Sequence, residues 1–204
     1  MKLLNTLLAF TLILFIGCGG ESSDQKETNT STESETTEMA ADDVRTIEIT
    51  GIDQMKFVVD DNQEGITVGD AVGGDGMLLL ESISAEPGEE IRIRLITKSS
   101  LPANAMAHNW ILLTMGADGQ AFATAAAQAK DNDYIPADKE NQIIAQTGLA
   151  AGGETVEVTF TAPEEPGDYE YICSFAGHYA AGMKGMLNVE GSGASSEEST
   201  SQEG

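Results

Sequence analysis

The chain has 204 residues, with 10 Lys and Arg against 34 Asp and Glu and a formal net charge of −24. That length allows one well-buried core or at most two small ones, and the acidity argues against nucleic acid as a partner, because binding phosphates needs a basic surface. Two Cys exclude a disulfide-stapled scaffold, and two His, His108 and His178, are the only imidazoles any metal or acid–base chemistry can use.

The chain opens with Lys2 followed by an apolar run, Leu3 to Ile16, and then Gly17-Cys18. A charged residue before an apolar stretch of this length reads as a secretory signal, and the run is shorter than the roughly 20 residues a membrane span needs. A small residue directly before the Cys resembles a bacterial lipoprotein signal, in which residues 1–17 are removed and Cys18 is lipidated. The plainer alternative is an ordinary signal peptide with an incidental Cys. A lipid on Cys18 would hold the protein at a membrane face without spanning it. After Cys18, residues 19–43 carry eight acidic side chains and one basic one among Gly, Ser and Thr. Such a segment buries too little apolar surface to offset its ordering entropy, so residues 18–43 are expected to form a disordered, self-repelling tether. Residues 191–204 read the same way.

Residues 44–190 are expected to form one domain, which itself holds 23 acidic and 8 basic side chains. Its segments are strand-length and rich in β-branched residues. Strands are expected at Val44–Ile49, Lys56–Val59, Gly76–Glu81, Glu90–Ile96, Trp110–Thr114, Glu154–Thr161, Asp168–Cys173 and Gly185–Val189. Alternation is clear in Ile91-Arg92-Ile93-Arg94-Leu95 and in Val156-Glu157-Val158-Thr159-Phe160, each with one apolar face. Turn residues at Asp60-Asp61-Asn62, Glu86-Pro87-Gly88, Gly152-Gly153 and Pro163–Gly167 separate them. The pattern predicts an all-β, antiparallel sandwich. The Ala-rich segment Gln120–Lys130 breaks it and predicts one short inserted helix. Trp110, at the start of a strand, is expected in the core.

The residues that carry chemistry lie late in the domain. Cys173-Ser-Phe-Ala-Gly-His178-Tyr-Ala-Ala-Gly-Met183 holds a thiol, an imidazole and a thioether within eleven residues, at a strand end and the loop after it. His108 lies 65 residues before Cys173. Taken singly, a strand Cys is a core filler, a His a satisfied polar group and a Met a packing residue. Together, one Cys, two His and a Met are the donors of a type 1 copper site, with a trigonal His₂Cys set and a weak axial thioether. Thiolate softness suits Cu(I), imidazole suits both oxidation states, and the distant thioether avoids a square-planar geometry.

At these residues the chain resembles the azurin and auracyanin branch of the small blue copper proteins. Ile49-Thr-Gly-Ile-Asp-Gln-Met-Lys-Phe57 is similar to the N-terminal hairpin of that family. Leu101-Pro-Ala-Asn-Ala-Met-Ala-His-Asn-Trp110 is similar to the segment with its first His ligand. Asp131–Pro136, Ile143–Thr147 and Met183-Lys-Gly185 also fit. The resemblance implies a cupredoxin Greek-key sandwich, with Gln120–Lys130 as an outlying helical flap. It implies one copper held by His108, Cys173, His178 and Met183. The Ala107 carbonyl would approach from the opposite axial side, and Asn109 would donate hydrogen bonds that join the ligand loops and tune the Cys sulfur. Four residues, not the three of azurins, separate His178 from Met183, as in auracyanin, and Ala107 stands where azurins have Gly. Met186 is a rival axial ligand, which the Met-Lys-Gly match disfavours.

A four-ligand copper leaves no open position for substrate, so the reading is a single-electron carrier and not an enzyme. It would serve redox proteins such as a cytochrome or a respiratory or photosynthetic membrane complex, outside the cytoplasm. Partners would meet an uncharged patch where the edge of His178 reaches the surface, built from Leu101, Ala105, Met106, Phe175, Tyr179, Ala180 and Ala181. Two alternatives stand beside it. A copper storage or delivery protein would show further exposed Met or His clusters, and a metal-free recognition module would have lost ligands.

Overall fold

The computed structural model describes residues 44–191. The apolar leader, Cys18, the tether over residues 18–43 and all but the first residue of the tail lie outside the described residues. Among the described residues no helix is long and apolar enough to cross a membrane.

The alternating segments build one curled sheet. Strand β1 (Arg45–Ile52) pairs antiparallel with β2 (Lys56–Val59) and parallel with β5 (Glu90–Lys98). Strand β10 (Thr155–Thr161) closes the other side of β5. Strand β4 (Met77–Ala85) runs beside β2 and, in parallel, beside β12 (Lys184–Val189). The sheet then continues through β11 (Gly167–Ile172), β7 (Ile111–Leu113) and β8 (Ile143–Gln146). Two parallel pairs in an otherwise antiparallel sheet mark the long crossovers of a Greek key. Strand β8 approaches β10, so the sheet nearly closes on itself. This is the all-β cupredoxin architecture expected from the sequence.

Period-two alternation does the work of facing. In β5, Ile91, Ile93 and Leu95 point into the core and Arg92 and Arg94 point out. They meet Ile47 and Ile49 of β1 across the parallel register. On the outer face Arg94 reaches Glu48 on one side and Glu157 on the other. Trp110 is fully buried, as expected, and stacks on Tyr171 with ring centroids 5.6 Å apart.

The sequence pattern missed four strands. Strand β3 (Ile66–Val72) contains Gly69 and Asp70, and its pairing with β4 shifts register twice, so it shows no clean alternation. Strands β6 (Ala107–His108) and β9 (Ala150–Ala151) are two residues each and pair only with each other. Strand β8 has four residues, no longer than the expected β2, and carries no clean alternation, since Ile143-Ile144-Ala145 is a continuous apolar run. The helix is also shorter than expected. Helix α1 covers Gly119–Ala126, capped by Asp118, whose Oδ1 accepts from the Ala121 N–H at 2.9 Å. Helix propensity favours continuation to Lys130. Instead Lys130–Asn132 tightens into a 3-10 turn, followed by Asp133 and Tyr134 in the left-handed region. That path buries Tyr134 against Phe175, with centroids 4.6 Å apart, so tertiary packing ends the helix.

Candidate metal centre

Two segments carry the donors, and each is fixed before any metal is considered. The first is β6. His108 pairs with Ala150 of β9, and β9 is tied to β5 by the Thr97 hydroxyl, which donates to the Ala150 carbonyl at 3.2 Å. Two residues on, the Trp110 N–H donates to Thr147 Oγ1 at 3.0 Å, and the Thr147 N–H donates back to the Trp110 carbonyl at 2.9 Å. Beneath the imidazole lies Gly51 of β1. A methyl group there would stand 2.6 Å from His108 Cδ2, closer than atoms pack, so only glycine lets β1 pass.

The second segment is the loop from β11 to β12. The Cys173 N–H donates to the Met183 carbonyl and the Met183 N–H to the His178 carbonyl, both at 3.0 Å. Inside, His178 N–H donates to the Phe175 carbonyl and Ala181 N–H to the Gly177 carbonyl. Gly182, at φ +91°, supplies the turn that the extra residue before Met183 requires. Asn109 joins the two segments. Its Nδ2 donates to Ser174 Oγ, and its Oδ1 accepts from the Ser174 N–H, each at 2.9 Å and buried.

The donors converge. His108 Nδ1 and His178 Nδ1 are 3.2 Å apart, and Cys173 Sγ lies 3.4 Å from His178 Nδ1 and 4.0 Å from His108 Nδ1. Three donors held about 2.0–2.3 Å from one shared ion in a trigonal plane stand about 3.5–4 Å apart, so the cluster fits one ion. All three residues are buried. Burial, and the neighbouring His178, push the His108 pKa down to about 3, with the Ile52 backbone weakly opposing. Burial alone pushes His178 down to about 4. Both imidazoles are therefore neutral at pH 7 with lone pairs free for a metal. Burial pushes the Cys173 thiol up to about 12, against a smaller opposite pull from the Asn109 and Phe175 amides. Only a bound cation would make it a thiolate there. A cavity of about 360 Å³ lies next to Asn109, lined also by Asn132, Asp133, Glu140 and Gln146, but none of the three donors lines it.

The comparisons with known proteins agree with this geometry. The family model for copper-binding proteins of the plastocyanin/azurin family matches residues 70–190. The chain belongs to that family. It is 44% identical over 109 residues to auracyanin-A of Chloroflexus aurantiacus, covering 52% of this chain and 63% of the relative. It is 38% identical over 109 residues to auracyanin-B of the same organism, covering 53% of this chain and 45% of the relative. The chain thus spans only about half to two thirds of these two curated relatives. Azurin-1 of Alcaligenes xylosoxydans xylosoxydans is 38% identical over 125 residues, 59% of this chain and 95% of the relative. The solved structure of auracyanin A, described as a "blue" copper protein, superposes with a TM-score of 0.53 at 36% identity, covering 71% of this chain and 98% of that one. The cofactor is accordingly one type 1 copper, and the family is that of the blue copper electron carriers.

Around the donors, the plastocyanin/azurin fold treats the remaining expected residues unequally. Met183 is fully buried and bridges Cys173 and His178 through its backbone, whereas Met186 is 41% exposed on β12, level with Glu170. Ala107 is buried in β6. Of the expected surface patch, Leu101, Ala105 and Ala180 are exposed and Ala181 is half-buried. Met106 and Phe175 are buried instead, Phe175 because it is sandwiched between Tyr134 and His178. His178 itself is only 2% exposed, so its edge barely reaches solvent. Tyr179 does not belong to an apolar patch. Its hydroxyl donates to Glu170 at 3.0 Å, and Lys184 donates to that hydroxyl while standing 4.2 Å above the ring. Sequence reasoning missed Gly51, Ser174 and Thr147. Only Ser174 had a signal, its place directly after Cys173; the other two reach the site through strand pairing, which a linear pattern does not encode.

Proposed function

We propose that the protein passes single electrons between redox proteins outside the cytoplasm, tethered to a membrane by lipid on Cys18. In this reading His108 Nδ1, His178 Nδ1 and Cys173 Sγ would hold the copper, with the Met183 thioether as a weak fourth donor. The bound copper supplies a one-electron couple. The protein residues keep the donors in one arrangement through both states, exclude water, and leave no open position for a substrate. The observation that carries the reading is the convergence of two neutral imidazoles and a thiol in a closed pocket. Burial of all three favours retention of the ion over its delivery. Met183 is preferred to Met186 because one is buried between two donor residues and the other faces solvent. The anchor rests on the apolar run Leu3 to Ile16 and on Gly17-Cys18.

The test is a visible absorption spectrum of the copper-loaded protein before and after reduction. An intense blue band that bleaches on reduction is expected, and Cys173→Ser abolishes it. Colour that survives this change overturns the assignment. Met183→Leu is expected to retain copper and raise the potential, because Cu(II) loses a donor; complete loss of copper would overturn the axial assignment. Cys18→Ala is expected to move the protein from the membrane to the soluble fraction.

A further inference from the structure

The hairpin of β1 and β2 touches both halves of the donor set. Gly51 underlies His108. Five residues later Lys56, opposite Ile52 in the hairpin register, extends its ammonium to the loop that follows His178. Lys56 Nζ donates a partly buried hydrogen bond to the Ala181 carbonyl. It also lies against Gly182, where an added methyl group would stand 2.7 Å from Nζ. These are the last two residues before Met183. Arg45, Arg94, Lys98 and Lys184 each pair with a carboxylate, whereas among the described residues Lys56, like Arg92, Lys130 and Lys139, forms no ion pair, and of these four it is the one whose ammonium bonds to the loop after His178. A positive charge without a carboxylate partner therefore rests on the loop that closes the site.

We propose that Lys56 is a positioning residue for the metal centre: it pins the loop between His178 and Met183, and its charge favours the reduced ion. This rests on the copper reading above. Gaining one electron from a reductant partner takes the ion from 2+ to 1+, and losing it to an acceptor reverses the change. A fixed positive charge nearby disfavours the higher charge, and a partly buried position limits the screening of that effect by water. The same contact restrains the turn. The loop has one more residue than in azurins, and that length is held by internal hydrogen bonds from Ala181 and Gly182 together with the Lys56 strap.

Three variants separate charge from restraint: Lys56→Met, Lys56→Gln and Lys56→Arg. Each is loaded with copper, and its potential is measured by spectroelectrochemical titration. Amide exchange over residues 179–183 is measured without copper. The potential is expected to fall in Lys56→Met and Lys56→Gln and to stay near the wild-type value in Lys56→Arg. Loop amides in Lys56→Met are expected to exchange about tenfold faster or more, the factor that corresponds to a lost charge-assisted hydrogen bond. An unchanged potential in Lys56→Gln, or an equal fall in Lys56→Arg, overturns the role of charge. Unchanged exchange in Lys56→Met overturns the restraint. If Lys56→Met fails to fold, Lys56→Gln and Lys56→Arg still decide the role of charge, and Lys56→Ala, which also removes the donor, decides the restraint by the same exchange measurement. Absence of the blue band in the wild-type protein would instead overturn the copper reading itself.

Discussion

The two donor-bearing segments are held by different means. His108 sits in β6, locked by β9, by the Trp110–Thr147 pair and by Gly51 beneath its ring. Cys173, His178 and Met183 sit on a loop held by its own turns and by side-chain ties, among them Asn109 to Ser174, Lys56 to Ala181 and Tyr179 to Glu170. The strand-held half would fix where a bound ion lies, since His108 can move only with the sheet. The loop-held half has softer restraints, so it is where affinity and potential can be tuned without loss of the fold. Both halves keep polar groups buried, which the surrounding Ile, Leu and Trp packing must outweigh.

The largest expected effect tests both halves at once. His108 and His178 have folded pKa values lowered to about 3 and about 4, below the 6.5 of the unfolded chain. Between those values the unfolded chain binds more protons, so the copper-free protein loses stability as pH falls from about 6.5. Each histidine contributes about 1.4 kcal/mol per pH unit inside that window. Urea midpoints at several pH values should fall steeply below 6.5 without copper and less steeply with it. A flat profile would mean that the imidazoles are solvated.

Asn109→Ala comes next. It leaves the buried Ser174 N–H and hydroxyl without partners, at a cost of about 1–3 kcal/mol each way the pair is counted. Denaturant titration should show that loss, and the blue band should shift as the Cys173 segment relaxes. Gly51→Ala should destabilise by about 1–3 kcal/mol, because the strand-held ring cannot yield to the new methyl group. It should also weaken copper binding, measured by competition with a chelator. Gly182→Ala should have the smallest effect on copper affinity. Its strain at φ +91° is about 1 kcal/mol, and the nearest atom is the mobile end of Lys56. Its potential should move more than its affinity. Equal effects of the two glycine changes on affinity would erase the distinction between the strand-held and loop-held halves.

Much of this site could be read in the sequence. Cys173 and His178 stand out because a metal needs donors of these types close together, and a loop after a strand gives short spacing; Met183 follows them on the same loop. The alternation in β5 and β10 showed which side chains face the core. Expectations failed where local signals were weak or overruled. β3 is irregular at Gly69 and Asp70, and α1 stops at Ala126 because Tyr134 must reach Phe175. The partner-facing patch was read too generously, since an apolar loop residue can turn inward, as Met106 and Phe175 do, or join a polar cluster, as Tyr179 does.

The sequence by itself determined the chemistry of the donors, the acidity of the domain and the β-rich pattern, because residue type and short-range spacing are written along the chain. The tertiary structure alone decided that His108 crosses 70 residues to stand 3.2 Å from His178 at Nδ1 and that Gly51 and Lys56 reach the site, and it turns Met183 inward, the methionine the Met-Lys-Gly match already favoured over Met186. Each of these depends on strand register, and register is fixed only when the whole sheet buries its apolar face at once.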